Sequence, residues 1–258
     1  MRYFAELRYD GAAYCGWQRQ PDAPSVQQTL EQGLSTLLRG DVATVGAGRT
    51  DTGVNAAYYV AHFDAEHEIA DCLQFVYKLN LILPPDISVM SVSPVADGAH
   101  ARFDASEREY RYRIEQCKNP FVRGGSWQYY VPLNIGEMNR AAEFLLRHDD
   151  FTSFAKLNSN NKTNICHVTR AEWRREGDST LWFTIRADRF LRNMVRAIVG
   201  TLVDVGRGRY TAEQFDGIIA ARDLSLSSGG APAQGLFLWD VTYPDDVFRR
   251  KLTNSHIV

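Results

Sequence analysis

The chain has 258 residues, 45% of them hydrophobic, and a formal net charge of −2. That balance excludes wholesale electrostatic attraction to nucleic acid, so a polyanionic partner must be held by local basic patches. No run approaches the roughly 20 apolar residues of a membrane span, while the apolar share is enough for one large domain or two smaller ones.

The four cysteines, Cys15, Cys72, Cys117 and Cys166, lie far apart without a C-x-x-C pair or a Cys/His cluster. They read as free thiols in a reducing compartment, with no structural metal. The first residues alternate as a strand does and do not resemble a signal peptide, so the cytoplasm is the expected location and no membrane the expected partner.

Residues 2–9 alternate at period two and Asp10-Gly11 turns the chain. Pro24, Ser25 and Gln28 form a capping-box pattern ahead of Val26, Leu30, Leu34 and Leu37/Leu38, a helix expected to end near Gly40. Residues 57–64 read as a strand, 71–81 as a short helix closed by Pro84-Pro85, and 87–95 as a strand. The second half brings strand 108–115 and a helix from Asn134 with Ile135, Met138, Ala142 and Leu145 inward. Strands 166–174 and 180–187 follow, then an apolar helix from Arg189 to Val203 that stops at Gly206. Thr211 and Gln214 cap a last helix carrying Phe215, Ile218 and Ile219, and 236–243 closes as a strand. Strands arrive in consecutive pairs as often as singly, which predicts an α+β fold of two halves on a largely antiparallel sheet instead of a doubly wound one. The expected halves are 1–105, carrying the Asp51 loop, and 106–245, with 246–258 as a tail.

Two basic clusters are candidate RNA surfaces. Arg108, Arg111 and Arg113 interleave with Tyr110 and Tyr112, and Arg189, Arg192 and Arg196 fall on one side of the expected helix.

The run Gly46-Ala-Gly-Arg-Thr-Asp51-Thr-Gly-Val-Asn-Ala56 places one carboxylate after an Arg-Thr pair, with Gly46, Gly48 and Gly53 allowing sharp bends. Three chemistries could use it. Phosphate binding suffers from the missing Gly-Lys-Ser/Thr ending and the lack of a following helix. Asp51-Thr52-Gly53 is the aspartic-protease tripeptide, but it occurs once, and that mechanism needs two carboxylates sharing a proton, which only a dimer would supply. Covalent catalysis by a lone ionised Asp51 needs a nearby cation and a shielded site. Each residue also has a plainer reading: Asp51 as a turn residue, Tyr110 as core, Arg192 as a solvated helix charge. Asp10, Trp17 and Gln18 read as fold or RNA-edge residues.

Several motifs stand in one order along the chain. They are Tyr9-Asp-Gly-Ala-Ala-Tyr-Cys-Gly-Trp-Gln-Arg-Gln-Pro21, Gly48-Arg-Thr-Asp-Thr-Gly-Val, Leu83-Pro-Pro-Asp-Ile, His100-Ala-Arg-Phe-Asp-Ala, Tyr110-Arg-Tyr-Arg-Ile114, Phe190-Leu-Arg-Asn-Met-Val-Arg196 and Ala231-Pro-Ala-Gln-Gly-Leu236. In that order, over about residues 3–243, the chain resembles the tRNA pseudouridine synthase A family. The resemblance implies the pseudouridine synthase fold, with a cleft between the halves, and isomerisation of uridine to pseudouridine at positions 38 to 40 of the tRNA anticodon stem-loop. It also implies no metal or organic cofactor, and a homodimer. It makes Asp51 the catalytic aspartate, Tyr110 the tyrosine that packs on the target base and Arg192 the arginine paired with the aspartate. Arg49 matches an arginine suited to phosphate contact and to holding the base out of its stack. Thr52 and Asn55 stand where the family commonly has Ala and His. Attack at C1′ of the sugar, attack at C6 of the base and a glycal path all stay open, as does an RNA-binding module without chemistry.

Overall fold

Strand β1 (Arg2–Tyr9) realises the first period-two run, with Tyr3, Ala5, Leu7 and Tyr9 buried on one face. The structure, a computed structural model, describes residues 1–156 and 162–248. Helix α1 (Val26–Leu38) starts where Ser25 accepts a hydrogen bond from Gln28 N, and it ends two residues before Gly40, with Arg39 in the left-handed region. A short strand β2 (Thr44–Gly46), which sequence periodicity does not reveal, leads into the Asp51 loop and strand β3 (Asn55–Asp64). Helix α2 (Cys72–Ile82) is capped by Asp71, and β4 (Ile87–Pro94) completes the first half of the chain.

The second half opens with β5 (Glu107–Glu115) and a second short strand, β6 (Trp127–Gln128). Next come α3 (Ile135–Phe144), capped by Asn134, and the hairpin β7 (Val168–Glu176) and β8 (Thr180–Ala187). Helix α4 (Met194–Gly206) is buried on nearly every side, and α5 (Ala212–Ala221) carries the full capping box of Thr211 and Gln214. Strand β9 (Leu236–Thr242) closes the fold.

The nine strands among the described residues form one sheet, ordered β4-β1-β3-β9-β5-β8-β7, with β2 beside β3 and β6 beside β5. The pairings are antiparallel except β3 with β9 and β5 with β6. This is the α+β architecture expected, largely antiparallel, but the sheet runs unbroken through both halves. The last strand lies between them: β9 pairs with β3 at Asn55 and Ala56 and with β5 from Glu107 to Tyr112. The buried side chains gather in two clusters. The first gathers β1, β3 and α1, and takes Leu238 and Val241 from β9. The second gathers α3, α4, α5 and the strands β5, β7 and β8, and takes Val54 from the end of the Asp51 loop. Asp51 therefore sits at the seam of the two cores, and the Tyr110 side chain touches both.

The first residues of the expected tail, up to Phe248, pack on the fold. Val247 is buried in the first cluster, and the Phe248 ring packs on Phe4 and Tyr243. Residues 249–258 lie outside the described residues.

Candidate active site

The Asp51 loop is a connection between two neighbouring strands, β2 and β3, and its shape follows from what presses on it. Gly53 has φ +75°, a conformation that residues with a β-carbon avoid. Gly46 is required for space, since a β-carbon there would fall 2.0 Å from the Tyr59 hydroxyl, whereas one on Gly48 would meet nothing within 4 Å. A second close approach involves a glycine outside the motif. A β-carbon on Gly16 would lie 2.2 Å from the Thr50 carbonyl, so the turn of residues 14–17 can rest directly on the loop. Trp17 N then donates to Thr50 Oγ1 at 3.1 Å, and the Tyr9 hydroxyl lies 2.9 Å from the same oxygen. Tyr59, stacked on Trp17, donates to the Gly48 carbonyl.

Asn55 performs a similar task at the far end. Its Oδ1 accepts from Gly11 N at 2.8 Å and its Nδ2 donates to the Gln234 carbonyl at 2.9 Å, strapping β3 to the segment before β9. An uncharged imidazole offers the same acceptor and donor pair, so the exchange of His for Asn preserves a neutral strap. Thr52 is exposed.

Fixed in this way, Asp51 presents a carboxylate that is 24% exposed, with Arg192 Nε 3.3 Å from Oδ1. That is the one side-chain hydrogen bond of Asp51 among the described residues, so the local turn-capping role is not what the loop uses it for. Arg192 is 60% exposed, and a pair so open to solvent contributes at most about 1 kcal/mol to stability.

Arg192 does not stand on a helix. Helix α4 begins at Met194, five residues later than the sequence pattern suggests, because Asn193 adopts φ 66° and turns the chain. Arg189 and Arg192 lie in that turn, and Arg196 is inside the helix with its Nε donating to the Ala231 carbonyl at 2.6 Å. The expected three-arginine helix face is therefore absent.

Tyr110 is partly buried, on the same face of β5 as Tyr112, and its ring meets Phe190 edge-on at 5.1 Å. Burial pushes its phenol up to about 12, the positive charge of Arg108 opposes that rise, and the charge of Asp51 adds to it. Arg49 is exposed and has no ion-pair partner among the described residues.

The first basic cluster separates along the strand. Arg111 and Arg113 point to the opposite face, where they pair with Glu109 and Glu115 and lie over the Trp239 and Trp182 rings. Arg108 points inward, to partners that its sequence context hides. Its Nη1 donates to the carbonyls of Ala105 and Asp188, both at 2.8 Å, and its Nη2 to those of Ala47 and Arg102, at 3.2 and 2.5 Å. One guanidinium thus ties the strand that feeds the Asp51 loop to the turn that carries Arg192. Its inward direction was readable from its period-two relation to Tyr110 and Tyr112, but not its partners.

The alternative chemistries fare poorly on this geometry. The loop runs into a strand, with no helix N-terminus for phosphate, and the partner of Asp51 is a guanidinium in place of the second carboxylate a protease dyad needs. Among the described residues no three His, Cys, Asp or Glu side chains are grouped to hold a metal ion, and all four cysteines are free. No described helix is long and apolar enough to cross a membrane.

Comparison with known proteins agrees with the motifs. Residues 141–244 match the family model described as tRNA pseudouridine synthase. The tRNA pseudouridine synthase A of Bacteroides thetaiotaomicron is 52% identical over 98% of this chain and 95% of its own length. That of Bacteroides fragilis is 50% identical over 96% of this chain and 98% of its own, and that of Burkholderia cenocepacia 39% over 95% and 90%. With identity this high over nearly the full length of both partners, the chain belongs to the tRNA pseudouridine synthase A family.

Proposed function

We propose that this protein isomerises uridine to pseudouridine in tRNA, at positions 38 to 40 of the anticodon stem-loop, with Asp51 as the nucleophile. The observation that carries the reading is the pair Asp51 Oδ1 and Arg192 Nε at 3.3 Å, at the seam where Tyr110 also lies. A uridine within a stem is stacked and paired, so it must be turned out at a cost of a few kcal/mol, and a flat side chain and a guanidinium replace the contacts it loses. Tyr110 offers the flat face. Arg49, exposed and without an ion-pair partner among the described residues, is suited to a phosphate and to keeping the base out.

The reaction breaks the N1–C1′ bond, forms the C5–C1′ bond and in net moves the proton of C5 to N1, so no oxidant or second substrate is required. Asp51 begins it by attack at C1′, by attack at C6 of the ring, or by a path through a glycal. Arg192 orients the carboxylate in each case. The halves 1–105 and 106–245 supply Asp51 and Arg49 on one side and Tyr110 and Arg192 on the other.

The test is Asp51→Ala on stem-loop RNA. Loss of pseudouridine with RNA binding retained supports the enzyme; conversion at the normal rate refutes it. The same reading takes the protein as cytoplasmic and homodimeric. Sedimentation at monomer mass across the micromolar range would remove the dimer.

A further inference from the structure

We propose that the loop of residues 100–104 is a stacking platform, in which the Phe103 ring receives an unpaired RNA base next to the one presented to Asp51. The proposal rests on the RNA-modifying reading above and adds a contact to it. Phe103 is 75% exposed, an unfavourable setting for a phenyl ring unless something covers it.

The ring is nevertheless held in place. It stacks on His100, with centroids 4.2 Å apart and planes at 29°, and His100 in turn meets the edge of His62 at 4.7 Å. The backbone beneath is pinned: His100 Nδ1 accepts from Arg102 N and Phe103 N at 3.1 and 3.3 Å, and His100 N donates to Asp104 Oδ2 at 2.7 Å. A flat, exposed ring already ordered before its ligand arrives loses little freedom on binding. The Arg102 guanidinium, 5.8 Å from the ring centroid and without an ion-pair partner among the described residues, adds a positive charge suited to a sugar-phosphate chain.

Support and attachment distinguish Phe103 from Phe121. Phe121 is 95% exposed and borders a groove with Arg8, Asn55, Phe237 and Trp239, but no ring among the described residues stacks on it as His100 does on Phe103. The Phe103 loop is fastened to the site, because Arg108 Nη2 donates both to Arg102 O and to Ala47 O, four residues before Asp51. The same guanidinium reaches Asp188 O, four residues before Arg192. An RNA strand whose target base enters the seam has its neighbouring bases within the reach of this loop.

The experiment measures binding in the Asp51→Ala background, so that turnover does not intervene, with a stem-loop RNA carrying 2-aminopurine in its unpaired loop. Phe103→Ala and Phe103→Leu are expected to weaken binding about tenfold and to relieve quenching of the fluorophore, while Phe103→Trp preserves both. Fully paired RNA should bind equally to all four proteins. Unchanged affinity and quenching in Phe103→Ala would overturn the platform, as would a Leu variant that behaves like the parent. If the parent itself fails to bind the stem-loop, the RNA-modifying reading fails with it.

Discussion

Arg192 Nε lies 3.3 Å from Asp51 Oδ1 although 141 positions separate them in the chain. The contact joins a loop built on the first core to a turn built on the second. Replacing Arg192 by Met removes a donor aimed at the carboxylate proposed as the nucleophile, and such losses cost on the order of 100-fold in kcat. Arg192→Lys should recover only part, since an ammonium is a point donor on a flexible stem and lacks the fixed fork of a guanidinium. Single-turnover conversion of stem-loop RNA is the measurement, and kcat within a few-fold of the parent for Arg192→Met would contradict the orienting role.

Tyr110 is predicted to act through its ring. Its hydroxyl makes no hydrogen bond to Asp51 or Arg192, while its ring spans the two cores against Phe190. Tyr110→Phe should therefore bind RNA nearly as the parent does, and Tyr110→Ala should lose roughly 1–3 kcal/mol of binding, the worth of one base stacked on an aromatic face. Gel-shift titrations of both variants decide it; equal losses in the two would place the role on the hydroxyl instead.

Arg108 is predicted to support both stability and rate. Its charge is buried, which pulls its pKa below the ordinary arginine value, and four carbonyls in three segments depend on its donors. Arg108→Met leaves these acceptors short and should destabilise the fold by at least about 2 kcal/mol. Lysine cannot span the same separation from one nitrogen, so Arg108→Lys should recover little. At a temperature where the variant is fully folded, kcat should still fall while KM holds. A kcat at the parent value would reduce Arg108 to a role in stability alone.

Much of the site was legible because it is local. Asp51, its glycines and the strand after it form one continuous run, and the Thr211 and Gln214 cap reads directly from residue spacing. What was not legible depends on convergence. The αL turn at Asn193 moves Arg192 off the helix although the apolar spacing of the next turns continues smoothly back to Arg189. Strands of three and two residues, β2 and β6, are too short for a period to declare itself. Arg108 resembles Arg111 and Arg113 in sequence, yet the pleat sends it to the covered face, and no sequence pattern names the carbonyls waiting there.

Arg49 should show itself in salt dependence. An exposed arginine that meets a phosphate releases about one counterion on binding, so Arg49→Ala is expected to reduce the slope of log K against log salt by about one. Affinity should fall across tRNA sequences alike. The titration needs only a few salt concentrations, and an unchanged slope would remove the phosphate contact from the account.

His62 gives a pH prediction whose sign follows from burial. Its side chain is almost fully enclosed, Nδ1 accepts from Ala101 N at 3.0 Å, and its pKa falls from 6.5 to about 4. Burial is the main cause; the neighbouring charges of Arg2 and His100 act in the same direction, and Asp64 and Asp104 oppose them. Above pH 6.5 the imidazole is neutral in both the folded and the unfolded chain, and its contribution to stability is complete. As pH drops toward 4 the unfolded chain takes up a proton that the folded one refuses, so stability declines through that window by up to about 3 kcal/mol. His62→Gln keeps an acceptor for Ala101 N without a titrating group, and its melting temperature should decline less steeply between pH 6.5 and 4 than that of the parent. The difference between the two curves isolates this residue from the carboxylates that titrate nearby; parallel curves would show that the folded protein tolerates a charged His62.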